Sequence, residues 1–329
     1  MRVGIDVAPL QQDAAGTSRW IRGLLGELET REGLEVQRLT WGGPGRWTAA
    51  LRDVVWYPML LPRRARRAAL DVLHCTIYRA PSRSRVPVVI TVHDLAVLRH
   101  PEVFPLWTRL YARTRLRPTI RAARRVVAVS EFSRRETAEL CDVDPGRIDV
   151  VPNAVDPVFT ADGPRVDGTY ALAVGTLEPR KNLPRVVSAA RLAGVELRVV
   201  GAQGWGRVEA EGDGVHWLGR RSDEELAALY RGARCLVYPS LYEGFGIPVA
   251  EAMACGTPVV TTTGSAMADV AGPAAVLVDP RDVRSIAAGI DEAVRRTAEL
   301  RALGLGRAQL YTWARAADAA VAAYGRAAA

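Results

Sequence analysis

Lysine is almost missing from this sequence of 329 residues: Lys181 stands alone against 43 arginines. Where the bias is this strong, a lone lysine suggests a site suited to a compact, flexible ammonium rather than a planar fork. Cysteine is nearly as scarce. Cys75, Cys141, Cys235 and Cys255 form no C-x-x-C pair and sit in apolar or helical contexts, which suits free thiols in a reducing cytoplasm. No apolar run approaches the ~18 residues of a membrane span, and the chain opens directly on the strand-like RVGIDV, so neither a transmembrane helix nor a signal peptide is expected. Aromatic interleaving and nucleic-acid-binding motifs are lacking, which argues against nucleic acid as a partner. No His/Cys/Asp/Glu cluster supports a metal. The one D-x-D, Asp142 and Asp144 in CDVDPGRI, reads as turn chemistry between a helix and a strand.

Hydrophobic residues make up 49% and charged residues 24% of the chain, the balance of a soluble globular protein of about two domains. Apolar strands alternate with amphipathic helices from end to end, which predicts the α/β class with parallel sheets. The segment VVPNAVDPVFTADGPRVDG interrupts regular structure and divides residues 1–160 from a second domain beginning at 161. The net charge of +8 lies wholly in the first half: residues 1–160 hold 25 arginines against 17 carboxylates, and residues 161–329 hold 19 of each sign. Two readings stay open, an anionic partner such as a membrane surface or lipid-linked phosphate, and a solvated arginine-rich surface. The densest cluster, Arg63, Arg64, Arg66 and Arg67 in LLPRRARRAAL, divides in the same way. It is either an interfacial membrane contact beside Leu60, Leu61 and Leu70, or a solvated helix face.

Candidate site residues follow strand ends. Strand Val3–Val7 leads into a loop with Asp13, Gly16, Thr17 and Ser18, followed by a helix through Trp20–Leu28. Strand Val88–Val92 delivers His93 and Asp94 to its carboxyl end, where α/β folds place ligands; a local turn cap is the alternative for His93, and His74 and His100 read as structural. Ser130 reads as a helix N-cap. In GTLEPRKNLPRVV, Gly175 supplies a turn, Asn182 an N-cap, and Arg180 and Lys181 two cations beside a helix start, a geometry suited to a diphosphate. In YPSLYEGFGIPVAEAMACGTPVVTTT, a strand breaks at Glu243, Gly244 and Gly246, a helix follows to Ala254, and a β-branched strand returns after Gly256. Glycine there lets a ligand approach the backbone, and a helix start leaves N–H groups for an anion. Glu243 and Glu251, eight residues apart, would lie roughly 10 Å apart, facing a ligand with two polyhydroxylated ends.

This last stretch resembles the E-x(7)-E motif of retaining nucleotide-sugar glycosyltransferases of the GT-B fold, the group 1 or family 4 type. The resemblance runs from the first strand to the last helix. It implies two Rossmann-like, doubly wound domains facing a cleft, with the acceptor in 1–160, the nucleotide sugar in 161–305, and a closing helix, 306–329, that crosses back to the first domain. It implies donor contacts from Gly16, Gly175, Arg180, Lys181, Glu243, Gly244, Phe245, Gly246, Ile247 and Glu251, with Glu251 on the ribose and Glu243 on the sugar side. His93, Glu243, Arg180 and Lys181 would carry the chemistry, His93 by contacting the transferred sugar. Gly16 stands where the family commonly has a glycine pair. Gly219, Arg220 and Tyr238 fall near its nucleobase site. No cofactor and no metal are implied.

VHDLAVLRHPEVF together with GTLEPRKN looks most like bacterial mannosyl- and rhamnosyltransferases of polysaccharide assembly. That points to GDP-mannose as donor and a lipid-linked saccharide as acceptor, in the cytoplasm with peripheral contact at the inner membrane face. A UDP- or dTDP-sugar donor with a natural-product aglycone is the alternative within this chemistry. A pyridoxal-phosphate phosphorylase, for which Lys181 is the only available lysine, and a non-catalytic nucleotide-sugar-binding subunit lie outside it.

Overall fold

The β-branched runs of the sequence become two six-stranded parallel sheets in a computed structural model that describes residues 1–11, 15–104, 106–202 and 214–329. The first sheet comprises β1 (Arg2–Asp6), β2 (Glu35–Leu39), β3 (Val72–Cys75), β4 (Val88–Val92), β5 (Arg125–Ala128) and β6 (Ile148–Val150), in the order β2-β1-β3-β4-β5-β6. The second comprises β7 (Tyr170–Val174), β8 (Glu196–Val200), β9 (Val215–Gly219), β10 (Cys235–Tyr238), β11 (Val259–Thr262) and β12 (Ala275–Val278), in the order β12-β11-β10-β7-β8-β9. Every residue of β3, β4, β10 and β11 is buried, as expected of parallel strands covered on both faces. Strand order reverses between β1 and β3 in one sheet and between β7 and β10 in the other. Ligands of open α/β sheets bind outside the carboxyl ends of the strands at such reversals.

Met1–Asn153 and Trp313–Ala329 form one compact unit, and Ala154–Thr312 the other. The helix Trp313–Ala328 buries Ala316, Ala317, Ala320, Ala323 and Ala327, small side chains that allow close approach. From it the Tyr324 hydroxyl lies 2.7 Å from His74 Nδ1, and Thr91 Oγ1 lies 2.7 Å from His74 Nε2. Burial holds the His74 pKa down at about 3, so the ring stays neutral, a structural histidine. All four cysteines are free and buried. Asp144 Oδ1 accepts from the Gly146 N–H at 2.9 Å and Asp142 pairs with Arg121, so both do local turn work. Among the described residues, no helix is long and apolar enough to cross a membrane.

Two expectations change. Helix begins at Ala15 rather than near Trp20, so Gly16, Thr17 and Ser18 occupy its first turn instead of a loop. Small residues cost little there, because first-turn N–H groups have no intrahelical acceptor in any case. Asp13 lies outside the described residues. The leucines beside the arginine cluster are also not surface companions: Leu61 and Leu70 are buried in the core of the first unit and Leu60 packs against it, while Arg63, Arg64, Arg66 and Arg67 stay exposed.

At the carboxyl end of β1, Asp6 is fully buried. Its Oδ1 accepts from Trp56 Nε1 at 3.1 Å and from the Ala8 N–H at 3.3 Å, while Oδ2 has no hydrogen-bond partner among the described residues. Burial raises its pKa from 3.8 to about 6. The stability this group contributes is therefore full below about 3.8 and lost as pH rises through about 6. Asp6→Asn removes the titration. Relative to the unsubstituted protein, the variant is expected to be more stable at about pH 7.5 than at about pH 4.5, by on the order of 2 kcal/mol. Calorimetry at both pH values measures this, and equal differences would refute it.

Candidate functional site

In the second unit, the strand reversal between β7 and β10 brings two loops together. The loop after β7 carries Gly175 and the 3-10 turn Pro179–Lys181; the loop after β10 carries Glu243 and leads into the helix Ile247–Ala254. Glu243 Oε1 lies 2.5 Å from Lys181 Nζ, and Oε2 lies 2.8 Å from Arg180 Nη1. Lys181 Nζ also donates to the Tyr238 hydroxyl at 2.6 Å, and Arg180 Nε to Glu178 Oε2 at 2.7 Å. The side chains of Lys181 and Glu243 are only 10% and 11% exposed, that of Arg180 26%. Burial alone would raise the Glu243 carboxyl, but the adjacent charges of Lys181 and Arg180 overcome it and hold it at about 2. Burial opposes the charge on Lys181, and Glu243 outweighs it, moving the ammonium upward. Both cations were expected beside a helix start; the structure adds that one carboxylate holds the pair.

Around this cluster the backbone is shaped by glycine. Gly175 has φ of +149°, and a Cβ there would stand 3.3 Å from the Lys181 Cδ and Cε methylenes. Gly246 caps the helix with φ of +93°, and a Cβ would come 2.6 Å from Met267 Cγ, so side chains are excluded. Gly244 is buried. Phe245 is buried with its ring edge-on to Tyr311 at 5.3 Å, which leaves only its backbone for a ligand. Ile247 is half-buried at the first helical position. One turn into the helix, buried Glu251 accepts from the Tyr230 hydroxyl at 3.0 Å.

Asn182 sits at the N-cap position of the helix Leu183–Leu192 without capping it. Its backbone is left-handed, φ +61°, and Nδ2 donates instead to the carbonyls of Pro239 at 3.1 Å and Pro280 at 2.6 Å. It ties together the loops after β10 and β12. The Tyr238 hydroxyl joins the charged cluster, accepting from Lys181 and donating to Glu243 Oε1 at 3.0 Å. Sequence reasoning missed Glu178, Tyr230 and Thr76. Glu178 stands two residues before Arg180 and was within reach of a local reading; Tyr230 and Thr76 gave no local signal.

In the first unit, His93 follows β4 and is half-buried. Its Nε2 lies 2.9 Å from the Thr76 carbonyl, which only accepts, so Nε2 carries the proton. Burial lowers its pKa, keeping the ring neutral with its acceptor lone pair on Nδ1. The Trp20 ring stands edge-on at 5.0 Å and fixes the plane. Gly16 is exposed in the first turn of its helix. Ser130 caps the helix Glu131–Cys141, its Oγ accepting from the Ser133 N–H at 3.0 Å.

The Glycosyltransferase Family 4 model matches residues 21–159, and the Glycosyl transferases group 1 model matches residues 159–304. O-antigen chain mannosyltransferase B of Escherichia coli is 33% identical over 320 residues, covering 85% of this chain and 83% of that protein. The chain belongs to the group 1 glycosyltransferases. A second relative of this glycosyltransferase, MMP alpha-(1->4)-mannosyltransferase of Mycolicibacterium hassiacum, is 31% identical over 318 residues, 85% of this chain and 77% of that one. Among solved structures, sucrose-phosphate synthase from Thermosynechococcus elongatus aligns with a TM-score of 0.77 at 20% identity, over 99% of this chain and 98% of that one. The glycosyltransferase thus has the two-domain, Rossmann-like GT-B fold.

Proposed function

We propose that this glycosyltransferase transfers a hexosyl group, mannose from GDP-mannose, to a hydroxyl of a lipid-linked saccharide during polysaccharide assembly, with retention at the anomeric carbon. The observation that carries the reading is the convergence of Arg180, Lys181 and Glu243 at the strand reversal of the second unit, with Glu251 buried on the helix that follows. Arg180 and Lys181 take the donor diphosphate, and Glu251 takes the ribose hydroxyls. Gly175, Gly244, Phe245, Gly246 and Ile247 offer the ligand their backbone. As the bond to the sugar breaks, negative charge grows on the departing diphosphate. Two fixed cations stabilise that charge more than they stabilise the bound donor, which lowers the barrier. Glu243 holds both cations in position and lies on the sugar side.

His93 in the first unit is assigned to the transferred sugar, with neutral Nδ1 accepting from a hydroxyl, and Gly16 to the donor side of its helix. The acceptor hydroxyl gives its proton to the leaving phosphate, so the reaction calls for neither a metal nor a cofactor. The mannose assignment is supported by the names of the two relatives.

A thermal-shift series with GDP, UDP, dTDP and ADP and their sugars tests the donor. At about 100 times its dissociation constant a ligand stabilises by about 2.7 kcal/mol, and GDP and GDP-mannose are expected to do so selectively. Preference for another nucleotide would discard mannose, and no shift with any would discard the donor site. Proton NMR of the product should show the α anomer; a β product would refute retention.

A further inference from the structure

Part of the positive charge of the first unit surrounds a cavity remote from His93. A cavity of about 330 Å³ is lined by Pro62, Arg63, Arg66, Arg83, Ser84 and Arg85. All four arginines are exposed, and among the described residues none of them pairs with a carboxylate. A neighbouring cavity of about 370 Å³ shares Ser84 and Arg85 and adds Arg124 and Arg147, again with no Asp or Glu in its lining. Three other arginines of this unit are matched: Arg79 with Asp53, Arg99 with Glu136, Arg125 with Asp149. Four like charges around one concavity repel one another without a counter-charge, and they focus a positive potential on an anion.

The position of the cavity separates it from the chemistry. Arg83 and Arg85 precede β4, and Arg63 and Arg66 precede β3, whereas His93 follows the far end of β4. The cavity therefore lies at the amino edge of the first sheet, on the order of 15 Å of strand away from His93.

Exposed apolar side chains distinguish a lipid from a soluble anion. Arg63 and Arg66 close a helical run that begins at Arg46 and passes through the π-helical segment Arg52–Leu60. Along that run Trp47 is 87% exposed, Leu51 49%, Val54 64% and Met59 45%. A run of large apolar side chains held in water and continuing into unpaired arginines has the composition of a helix lying in a membrane interface. A soluble phosphate would use the arginines and leave the tryptophan unexplained.

We propose that this amino edge of the first unit docks on a membrane containing anionic phospholipid, with the phosphate of a headgroup in the Arg63–Arg66–Arg83–Arg85 cavity and Trp47, Leu51, Val54 and Met59 entering the acyl boundary. The surface does not depend on which nucleotide sugar the second unit takes, and GDP binding serves as an independent control.

Co-sedimentation with vesicles tests it, using phosphatidylcholine alone and an equimolar mixture with phosphatidylglycerol. The protein is expected to bind the mixed vesicles, to release them as salt rises, and to bind phosphatidylcholine far less. Each arginine near such a surface is worth about 1 kcal/mol, about fivefold, so R83Q/R85Q should weaken binding roughly thirtyfold. W47S should weaken it several-fold with the arginines intact. Thermal melts of both variants exclude misfolding as the cause. Equal binding to both vesicle types, or unchanged binding by R83Q/R85Q, would overturn the proposal. Calorimetric binding of inorganic pyrophosphate without vesicle binding would also overturn it and assign the cavity to a soluble phosphate compound.

Discussion

Glu243→Gln is expected to destabilise the second unit by about 3–5 kcal/mol, the usual effect of removing one partner from a buried ion pair. The cause is specific. Lys181 and Arg180 both rest on this carboxylate, at 2.5 and 2.8 Å, and Lys181 is nine-tenths buried. Glutamine keeps the shape but leaves two cations facing each other across a neutral amide. The effect should depend on pH. The folded pKa of Glu243 is about 2, against an ordinary value of 4.5. Its contribution is therefore full above about 4.5 and lost as pH falls through about 2. The difference between the two proteins should narrow across that window when measured by calorimetry. A constant difference, or melting within a degree of the unsubstituted protein at neutral pH, would show that the carboxylate does not hold the cluster. A diphosphate restores the missing negative charge, so GDP should stabilise the glutamine variant more than the original. A smaller gain would place the diphosphate elsewhere.

How far this site could be read in the sequence depended on how local its determinants are. Strands β4 and β10 are short continuous apolar runs closed by polar residues, and a parallel sheet demands little else. Lys181 stands out because every other basic residue is arginine, and Gly246 because a glycine after a strand lets a ligand approach the backbone. Asn182 looked like a cap because asparagine before a helix usually is one; two carbonyls from loops 57 and 98 residues away decided otherwise. The Tyr230–Glu251 contact joins two helices 21 residues apart and leaves no periodic trace. The arginine-rich helix keeps an ordinary helical period, with its leucine on the opposite side from its arginines. Leu61 and Ala65, four residues apart on the α-helix Leu61–Arg67, face the core, and Arg63, Arg64, Arg66 and Arg67 face outward. Leu61 and Leu70 turn into the core while Trp47 and Val54 stay outside.

Lys181→Arg, which keeps the charge, is expected to lower turnover nearly as far as Lys181→Met, by about 10²–10³-fold. Conservation of charge would suffice if the cation acted only through its field. The geometry asks for more. The stem passes so close to Gly175 that a single Cβ there would touch its Cδ and Cε at 3.3 Å. The ammonium then reaches the Tyr238 hydroxyl and Glu243 from one point, lying 5.1 Å from the centre of the tyrosine ring. A guanidinium is wider, planar and longer, so it must displace Tyr238 or turn one edge away from Glu243. A chain that uses arginine 43 times elsewhere keeps lysine here. Steady-state kinetics with the donor identified by thermal shift separates the roles. If Lys181 stabilises the departing diphosphate, kcat falls while the KM for the donor moves by a few-fold. If only KM rises, the lysine binds donor and transition state alike. Full turnover by the arginine variant, with its melting temperature unchanged, would show that a cation of any shape serves.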